Sequence, residues 1–525
     1  MKRKIAFHPL LFALHPVLSL FLCNWEKLPL REAIATMVLV LPCTLLFWLF
    51  VDLFVKDRNK SAIIVSVSIL LFFSYEHLLT ALSVVLFYAR VTNASDLLAN
   101  AKTGLLIWLC VWGVLFGAAL YLTVKSSGDL SFATIVLNIV SLSLVVTTVV
   151  SWYLRYEVGA GAYVDAWRKG KYSEEQTNYA GRNPESLPDI YYIILDGYGR
   201  ADTLQEIYQL DNSEFLSYLT QKGFYVAKKS NSNYSRTALS LASSLNYTYL
   251  EELARQVGKD STNELPLEVM VEDNKVFRLL RSYRYVVYTF STGYPVTEIE
   301  SADVHRSPRW SLNAFQSTLI NTTPLPAFFL RLQYDLHRER ILYILDHLPD
   351  ATQIDSPTFV FAHIVAPHPP FVFELSGEPI YPRRKFVLDD GSHYTAIAGR
   401  SAYVEGYRDQ LTFITAKLQV TIDEILSRSP EPPIIILQAD HGPRSTLEGN
   451  DIKHSNLSEP MSILNAYYFP DQNYDDLYPD ITPANTFRIV FNRYFGAEYE
   501  ILEDRSYFST RYHPYTFIDV TDEVR

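Results

Sequence analysis

Cysteine is nearly absent from this chain. The 525 residues contain three cysteines, Cys23, Cys43 and Cys110, and all of them lie within the first 155 residues. Residues 156–525 therefore have none. A disulfide framework, a cysteine-ligated zinc site and a cysteine nucleophile are excluded from that larger part.

The chain also has fewer positively than negatively charged residues. The chain has 46 Lys and Arg against 57 Asp and Glu, a formal net charge of −11. Residues 1–155 are basic, with 12 Lys and Arg and 7 Asp and Glu, so the remainder is strongly acidic. An acidic exterior without a basic cluster makes nucleic acid a poor partner. Hydrophobic residues reach 49% and charged residues only 20%, which excludes a disordered chain.

Long apolar runs are concentrated in residues 1–155. A membrane-spanning helix needs about 20 mostly apolar residues. Five runs qualify, at 7–23, 33–55, 61–79, 103–124 and 130–154. The first follows Lys2, Arg3 and Lys4 as a signal peptide would, but no small-residue cleavage site comes after it, so we interpret it as an uncleaved anchor. Residues 1–155 are thus predicted to form a domain of five transmembrane helices.

The charges of the loops predict the orientation of these helices. With a cytoplasmic N-terminus, seven Lys and Arg fall in inside segments and four in outside loops. Five crossings then place everything after residue 155 outside. We expect a multi-pass protein of the cell membrane with an extracytoplasmic (periplasmic or extracellular) domain. Glu76 and His77, near the outer end of the third run, are either a polar pair at a lipid-substrate entrance or an interfacial pair that reaches water.

Residues 156–188 are rich in glycine, polar and charged residues and are predicted to be a linker. From residue 189 onward, short apolar runs alternate with amphipathic stretches. The apolar runs, predicted as strands buried on both faces, are 190–195, 285–290, 359–365 and 433–438. The predicted helices are 213–221, 274–282 and 404–427. This alternation predicts a doubly wound α/β sandwich over residues 189–525, with an insertion of short helices at 293–357.

Metal-binding residue types follow three of the predicted strands. Asp196 ends the first, His368 comes after the third, and Asp440-His441 ends the last. In open parallel sheets, ligands bind beyond the carboxyl ends of the strands, so these side chains are expected to converge. Two aspartates and a histidine suit a divalent metal. An Asp-Gly pair alone is more often a turn, but two aspartates at matching strand ends favour the metal.

A hydroxyl nucleophile is predicted at Thr237. Residues 233–246 (NYSRTALSLASSLN) are typical of a loop followed by a small-residue helix that begins near Thr237. The exposed N–H groups of a helix N-terminus attract an anion, and a bound cation makes a hydroxyl there easier to ionise. From these residues alone, a plain threonine N-cap remains the alternative.

Along the chain the motifs are an apolar strand that ends in Asp196, a helix that starts at Thr237, a loop with His368 and the pair Asp440-His441. This order of motifs resembles that of the alkaline phosphatase superfamily. Five spans followed by an outward domain are similar to the lipoteichoic acid synthases and the lipid A phosphoethanolamine transferases. The resemblance implies an α/β sandwich of alkaline phosphatase or sulfatase type. It also implies one divalent metal ion, zinc or manganese with magnesium as an alternative. The implied ligands are Asp196, Thr237, Asp440 and His441, with Thr237 also the nucleophile.

Further residues are assigned to the substrate. The resemblance implies that His368 (PHPPF) and His454 (DIKHSN) bind it. Arg444, three residues after His441, is a candidate for contacting an anion, with a solvated arginine as the alternative. His363, inside a predicted strand, is interpreted as a packed or supporting histidine.

The chain also departs from these families. The lipid A transferases carry disulfides in this domain, and this domain has no cysteine. True sulfatases have a Cys/Ser-x-Pro-x-Arg pattern, and the residues that follow Thr237 contain neither that proline nor that arginine. Asp196 stands where the closest families often have glutamate. Sulfatase-like therefore describes the expected fold rather than the reaction.

Three functions remain open at this stage. The first is transfer of a phosphoethanolamine- or phosphoglycerol-like head group through a covalent threonine intermediate. The second is a phosphodiesterase or other ester hydrolase that uses the same site. The third is a non-catalytic lipid sensor, against which the intact set of Asp196, Thr237, Asp440 and His441 argues. The expected partner is a membrane lipid or a lipid-linked glycan, and not nucleic acid.

Overall fold

A computed structural model describes residues 5–25, 30–88, 101–158, 187–382, 384–388, 391–447 and 456–525. The chain divides into two compact units. The first, called the membrane unit here, comprises Met1–Gly159, Leu312–Tyr334 and Pro382–Val387. The second, the sheet unit, comprises Ala160–Ser311, Asp335–Tyr381 and Leu388–Arg525. The predicted linker falls mostly outside the described residues.

The membrane unit is helical. Its helices are His8–Asn24, Leu30–Val55, Arg58–Phe73, Tyr75–Tyr88, Ala101–Lys125, Ser131–Val158 and Ala314–Asn321. Three segments are long and apolar enough to cross a membrane, namely Leu30–Val55, Leu105–Lys125 and Ser131–Leu154. A fourth span results if Arg58–Phe73 and Tyr75–Leu82, which are bent by 49°, count as one. His8–Asn24 has 17 residues and is shorter.

Five spans are therefore not confirmed. The predicted run 61–79 is broken because the helix Arg58–Phe73 ends at Ser74. The Ser74 hydroxyl donates to the carbonyl of Leu71 at 2.8 Å, and such back-bonding by serine competes with the helical hydrogen bonds.

Two segments from far along the chain belong to the membrane unit. The backbone N–H of Phe315 donates to Oε2 of Glu32 at 3.1 Å. The N–H of Glu76 donates to the carbonyl of Thr322 at 3.3 Å. The Glu76 carboxylate forms an ion pair with Lys385. Glu76 is thus engaged within the unit, whereas His77 is exposed.

The sheet unit is built on seven strands, which are β1 Ile190–Leu195, β2 Tyr225–Val226, β3 Val286–Phe290, β4 Val304–Arg306, β5 Thr358–Ile364, β6 Ile434–Gln438 and β7 Asn465–Tyr468. Their order across the sheet is β2-β7-β6-β1-β5-β3-β4. β1 runs parallel to β5 and β6 and lies between them, with Ile193 opposite Ala362 and Leu437. β7 is antiparallel to β6 and to β2, so the sheet is mixed rather than wholly parallel. A small second sheet pairs β8 Tyr507–Phe508 with β9 Ile518–Asp519.

The predicted strands are confirmed to within one residue. Every residue of β1, β5 and β6 is buried, as expected for strands covered on both faces. The helices of the sheet unit that precede β5 are Ala201–Tyr208, Ser213–Gln221, Thr237–Ser244, Glu251–Val257, Leu265–Glu272 and Lys275–Ser282. Those that follow β5 are Gly391–Ala398, Arg400–Arg428, Ser458–Met461, Pro483–Phe495 and Thr521–Val524.

The insertion predicted at residues 293–357 contains the expected short helices, Ala314–Asn321 and 3₁₀ turns at Pro295–Thr297 and Leu348–Gln353. It also contains a long one that was not expected, Pro326–His347, a helix of 22 residues with a kink at Phe329. Its buried face includes His337 and Arg340 next to apolar residues. Because polar residues occupy core positions, the sequence shows no continuous apolar stripe there.

Candidate metal and nucleophile site

Two aspartates and a histidine meet at the carboxyl ends of neighbouring strands. Asp196 follows β1, and Asp440 and His441 follow β6. All three side chains are buried. Nε2 of His441 lies 3.5 Å from Oδ1 of Asp196 and 3.6 Å from Oδ2 of Asp440. The convergence that the sequence predicts for these residues is therefore present.

His363 joins the same cluster from β5. Its Nε2 lies 3.4 Å from Oδ2 of Asp196, and one ligand atom each from Asp196, His363 and Asp440 lie within 4.8 Å of one another. Oγ1 of Thr297 is 2.8 Å from Nδ1 of His363 and orients the ring. The interpretation of His363 as a packed or supporting histidine is not contradicted, and the position of its ring beside Asp196 also makes His363 a candidate metal ligand. Its place one residue before the end of a strand next to β1 was the available signal.

The turn after β1 brings the two aspartates together. Gly197 has a positive φ of 77°, a backbone conformation that glycine adopts without strain. Its N–H donates to Oδ1 of Asp440 at 3.2 Å. Oδ2 of Asp440 is left facing His441.

The donor atoms of this cluster fit a divalent cation. Within the described residues, Oδ1 of Asp196, Oδ2 of Asp440 and Nε2 of His363 are buried without a hydrogen-bond partner. Nδ1 of His441 lies 2.7 Å from the carbonyl oxygen of Gly442, which can only accept, so the lone pair of this ring is on Nε2, beside the carboxylates. Two buried carboxylates would repel each other unless a cation balanced them. Carboxylate oxygens and imidazole nitrogens suit zinc or manganese.

The electrostatics keep Asp196 and His441 in their metal-binding protonation states. Burial alone would raise the pKa of Asp196, but the adjacent His368, His363 and His441 outweigh it and hold that pKa below its usual range. Burial lowers the pKa of His441, and the positive charge of Arg444 lowers it further. An ionised carboxylate and a neutral imidazole are the forms that bind a metal.

Thr237 is the first residue of the helix Thr237–Ser244, and its Oγ1 lies 3.3 Å from Nε2 of His441. The neighbouring hydroxyls are placed differently. Ser240 donates its hydroxyl to the carbonyl of Asp440 at 2.6 Å. For Ser235, the described contact is made by its carbonyl oxygen, which accepts from the Arg444 guanidinium. Among these three hydroxyls, the described contact with His441 is made by Thr237.

The residues predicted to bind the substrate are His368, Arg444 and His454. His368 is half-buried, and its ring centroid lies 6.4 Å from that of His441. Nδ1 of His368 bonds to the carbonyl of Pro369 at 2.6 Å. The alternative of a solvated Arg444 does not hold, because its side chain is only 4% exposed. His454 lies outside the described residues.

A buried glutamate that no sequence pattern indicates, Glu459, holds the loop after His441. Oε1 of Glu459 accepts from the N–H and the hydroxyl of Ser445 at 2.8 and 2.7 Å. Oε2 accepts from the N–H of Thr446 at 2.7 Å. Glu459 therefore fixes the backbone that begins at His441, although its place in the short stretch before β7 gave no signal of this.

No family model matches the chain, and no curated protein matches it in sequence. Among solved structures, it is similar to the C-terminal periplasmic domain of EptC from Escherichia coli in complex with zinc. The identity is 11% and the TM-score 0.42, over 65% of this chain and 93% of that one. It is also similar to the integral membrane lipooligosaccharide phosphoethanolamine transferase A from Neisseria meningitidis, with 13% identity and a TM-score of 0.39 over 94% and 96% of the two chains.

A third similar structure is the phosphonate monoester hydrolase of Agrobacterium radiobacter, at 11% identity and a TM-score of 0.38, over 61% of this chain and 80% of that one. Phosphoethanolamine transferases, which the sequence motifs resemble, are thus among the structures to which the chain is similar.

Proposed function

We propose that this protein is a membrane-anchored, metal-dependent enzyme that transfers a phosphoryl-linked head group, phosphoethanolamine- or phosphoglycerol-like, with Thr237 as the nucleophile. The observation that carries the proposal is the meeting of Asp196, Asp440 and His441 beside the Thr237 hydroxyl. One oxygen of each carboxylate, Oδ1 of Asp196 and Oδ2 of Asp440, is buried without a hydrogen-bond partner in the described part of the chain, which supports a bound cation.

Each residue has a role in this proposal. Asp196, Asp440 and His441 hold the metal together with the Thr237 oxygen, and His363 is a further ligand. A divalent cation at this position supplies Lewis-acid polarisation of a phosphoryl oxygen and favours ionisation of a hydroxyl. The helix Thr237–Ser244 directs its first N–H groups toward an anion.

The reaction proceeds in two balanced halves. Oγ1 of Thr237 forms a bond to phosphorus, and the bond from phosphorus to the alcohol oxygen of the donor lipid breaks. The proton lost by Thr237 ends on the departing alcohol. An acceptor hydroxyl then attacks the phosphothreonine, Thr237 leaves, and the proton of the acceptor returns to Thr237. His368 holds a phosphoryl oxygen or relays these protons, and the same role is proposed for His454. Arg444 contributes positive charge next to His441.

The same residues would hydrolyse the ester if water replaced the acceptor hydroxyl, so a hydrolase remains the second candidate. A lipid sensor without catalysis is disfavoured, because burying two carboxylates destabilises the fold unless they bind a cation. We propose a membrane lipid or a lipid-linked glycan as the partner and zinc or manganese as the metal.

We place the protein in the cell membrane with the sheet unit on the extracytoplasmic side. In this proposal His8–Asn24 and the bent pair complete five spans within residues 1–155. Residues 156–188 form the linker and residues 189–525 the catalytic domain. The excess of positive residues in the inside segments supports this orientation.

The test is mass spectrometry of the peptide that contains Thr237. The full-length protein, loaded with zinc or manganese in separate samples, is incubated in liposomes of phosphatidylethanolamine and phosphatidylglycerol labelled in their head groups. We expect the mass of a phosphorus-linked head group on Thr237, an adduct that Ser235→Ala keeps and Thr237→Ala loses. Head group released to water would identify a hydrolase, and head group on a second lipid a transferase. An unmodified Thr237 in metal-loaded protein, with no turnover of either lipid, would overturn the proposal.

A further inference from the structure

An exposed apolar cluster lies in the membrane unit, although its residues come from the middle of the chain. Phe328, Phe329 and Leu332 are 63%, 52% and 48% exposed. They stand at the start of the helix Pro326–His347, where Phe329 departs from helical geometry with φ −122° and ψ 23°. We call these three residues the interfacial patch. Three large apolar side chains so close together and so exposed are unusual on a surface that faces only water.

The segment that carries the patch is bonded to the same end of two helices of the membrane unit. Glu32, which accepts from the N–H of Phe315, is the third residue of Leu30–Val55. Glu76, whose N–H donates to Thr322, follows the break at the end of Arg58–Phe73. Charged residues at the ends of apolar helices mark the boundary between hydrocarbon and water. The patch follows this segment within a few residues, so it lies close to that boundary.

Arg331, which is exposed, stands between Phe329 and Leu332 in the sequence, and two further basic residues, Arg384 and Lys385, belong to the same unit. Nζ of Lys385 donates to the carbonyl of Asn321 at 3.1 Å and pairs with Glu76. Arg384 is held in the same unit, because its carbonyl accepts from the hydroxyl of Tyr334 at 3.1 Å. Aromatic and aliphatic side chains beside basic ones are typical of segments that lie in the head-group region of a bilayer.

We propose that the interfacial patch inserts into the boundary between head groups and acyl chains of the lipid leaflet at this end of the helices. The occupant is lipid rather than a partner protein, because the patch belongs to the same compact unit as the long apolar helices, whose own apolar side chains, such as Ile34 at 50%, are exposed as well. The proposal rests on the membrane unit alone and is independent of the proposed reaction.

The experiment measures the depth of the patch by spin labelling. Only three native cysteines have to be replaced, by Cys23→Ala, Cys43→Ala and Cys110→Ala. A nitroxide is then attached to Leu332→Cys in full-length protein reconstituted in liposomes of phosphatidylethanolamine and phosphatidylglycerol. The matched control is Ile501→Cys, in the sheet unit, because Ile501 is exposed to a similar degree at 41%.

We expect the label at 332 to be several-fold more accessible to oxygen than to a water-soluble nickel complex, relative to the label at 501. Equal accessibility at the two positions would overturn the proposal. A second measurement keeps all cysteines and places p-benzoylphenylalanine at position 329 or 501. Illumination should give lipid adducts at 329 and none at 501. Crosslinks at 329 to another protein or to a second copy of the chain, without lipid adducts, would also overturn it.

Discussion

The carbonyl oxygen of Glu459 lies 2.0 Å from the position that a β-carbon on Gly442 would occupy. The carbonyl of Ser462 is 2.6 Å from the same position. Both are backbone atoms, which cannot rotate away, so the residue after His441 has to be glycine.

Gly442→Ala is therefore expected to push the chain away from Glu459 and to displace His441. The free energy of unfolding should fall by about 1–3 kcal/mol, the usual cost of overpacking, and zinc affinity should fall with it. Thermal unfolding and zinc titration of the full-length protein measure both. Gly117→Ala is the control, because no heavy atom lies within 4 Å of its β-carbon position. Unchanged zinc affinity in Gly442→Ala would contradict this role of the loop.

Asp440→Asn should lose the metal while the fold survives. The substitution removes one negative ligand atom at nearly constant volume, so zinc affinity is expected to drop at least about tenfold with little change in melting temperature of the metal-free protein. Zinc stoichiometry and competition with a chelator report the loss. Asp211→Asn, at an exposed position, should behave as wild type. Full zinc occupancy in Asp440→Asn would remove Asp440 from the ligand set.

Thr237→Ala should abolish turnover yet keep measurable metal binding, because the remaining ligands are intact. Loss of a nucleophile typically costs several orders of magnitude in rate. Thr237→Ser should retain part of the activity, since it keeps the hydroxyl and loses only a methyl group. Head-group release or transfer in liposomes is the assay, and Ser235→Ala is the matched control. Wild-type rates in Thr237→Ala would assign the nucleophile to another residue.

Thr297→Val tests whether His363 acts as a ligand. The substitution removes the hydroxyl 2.8 Å from Nδ1 of His363 but leaves the imidazole in place. Removing a partner that orients a metal-binding histidine typically weakens metal binding about 10–100-fold, and we expect Thr297→Val to lower zinc affinity in that range. Thr516→Val, which removes an exposed hydroxyl bonded to the carbonyl of Lys259, is the control. If zinc affinity is the same in both variants, His363 is a packed histidine after all.

Glu298 gives the stability of the sheet unit a pH dependence. Burial would raise its pKa, but hydrogen bonds from His305 and Ser291, the charge of Arg340 and the N–H of Gly293 lower it from 4.5 to about 2. A depressed carboxyl pKa stabilises the fold above pH 4.5, and this contribution is lost as the pH falls toward 2.

Glu298→Gln should therefore lower the free energy of unfolding at pH 7 by on the order of 3 kcal/mol. The difference from wild type should shrink as the pH falls from 4.5 to 2. Denaturant unfolding at several pH values measures it. Glu300→Gln, two residues away and exposed, should show neither effect. A difference that stays constant down to pH 2 would mean that Glu298 acts through packing rather than charge.

The strands of the sheet that are buried on both faces could be predicted, because such strands have continuous apolar sequences. β1, β5 and β6 are such strands, and their limits differ from prediction by at most one residue. β7 was missed because its four residues, NAYY, form a run too short to read as a strand. The helix Pro326–His347 was underestimated because His337 and Arg340 occupy buried positions.

In the candidate site, residues at strand ends were predictable and their supporting contacts were not. Asp196, Asp440 and His441 follow apolar runs directly, so sheet topology alone brings them together. His363 lies inside a strand, where a histidine is as well explained by packing. Glu459 acts through hydrogen bonds to residues brought close only by the folded loop, and such a contact leaves no pattern in the sequence.

The hydrogen bond between Glu32 and Phe315 joins residues 283 positions apart in the chain. During synthesis, the second helix of the membrane unit emerges long before the segment that caps it has been made. The carboxylate of Glu32 cannot accept this hydrogen bond until residues 312–334 have been made and have folded back onto the helix. Completion of the membrane unit is therefore a late step of biogenesis, and a fragment that starts after the linker would expose this segment without the helices it was made to meet.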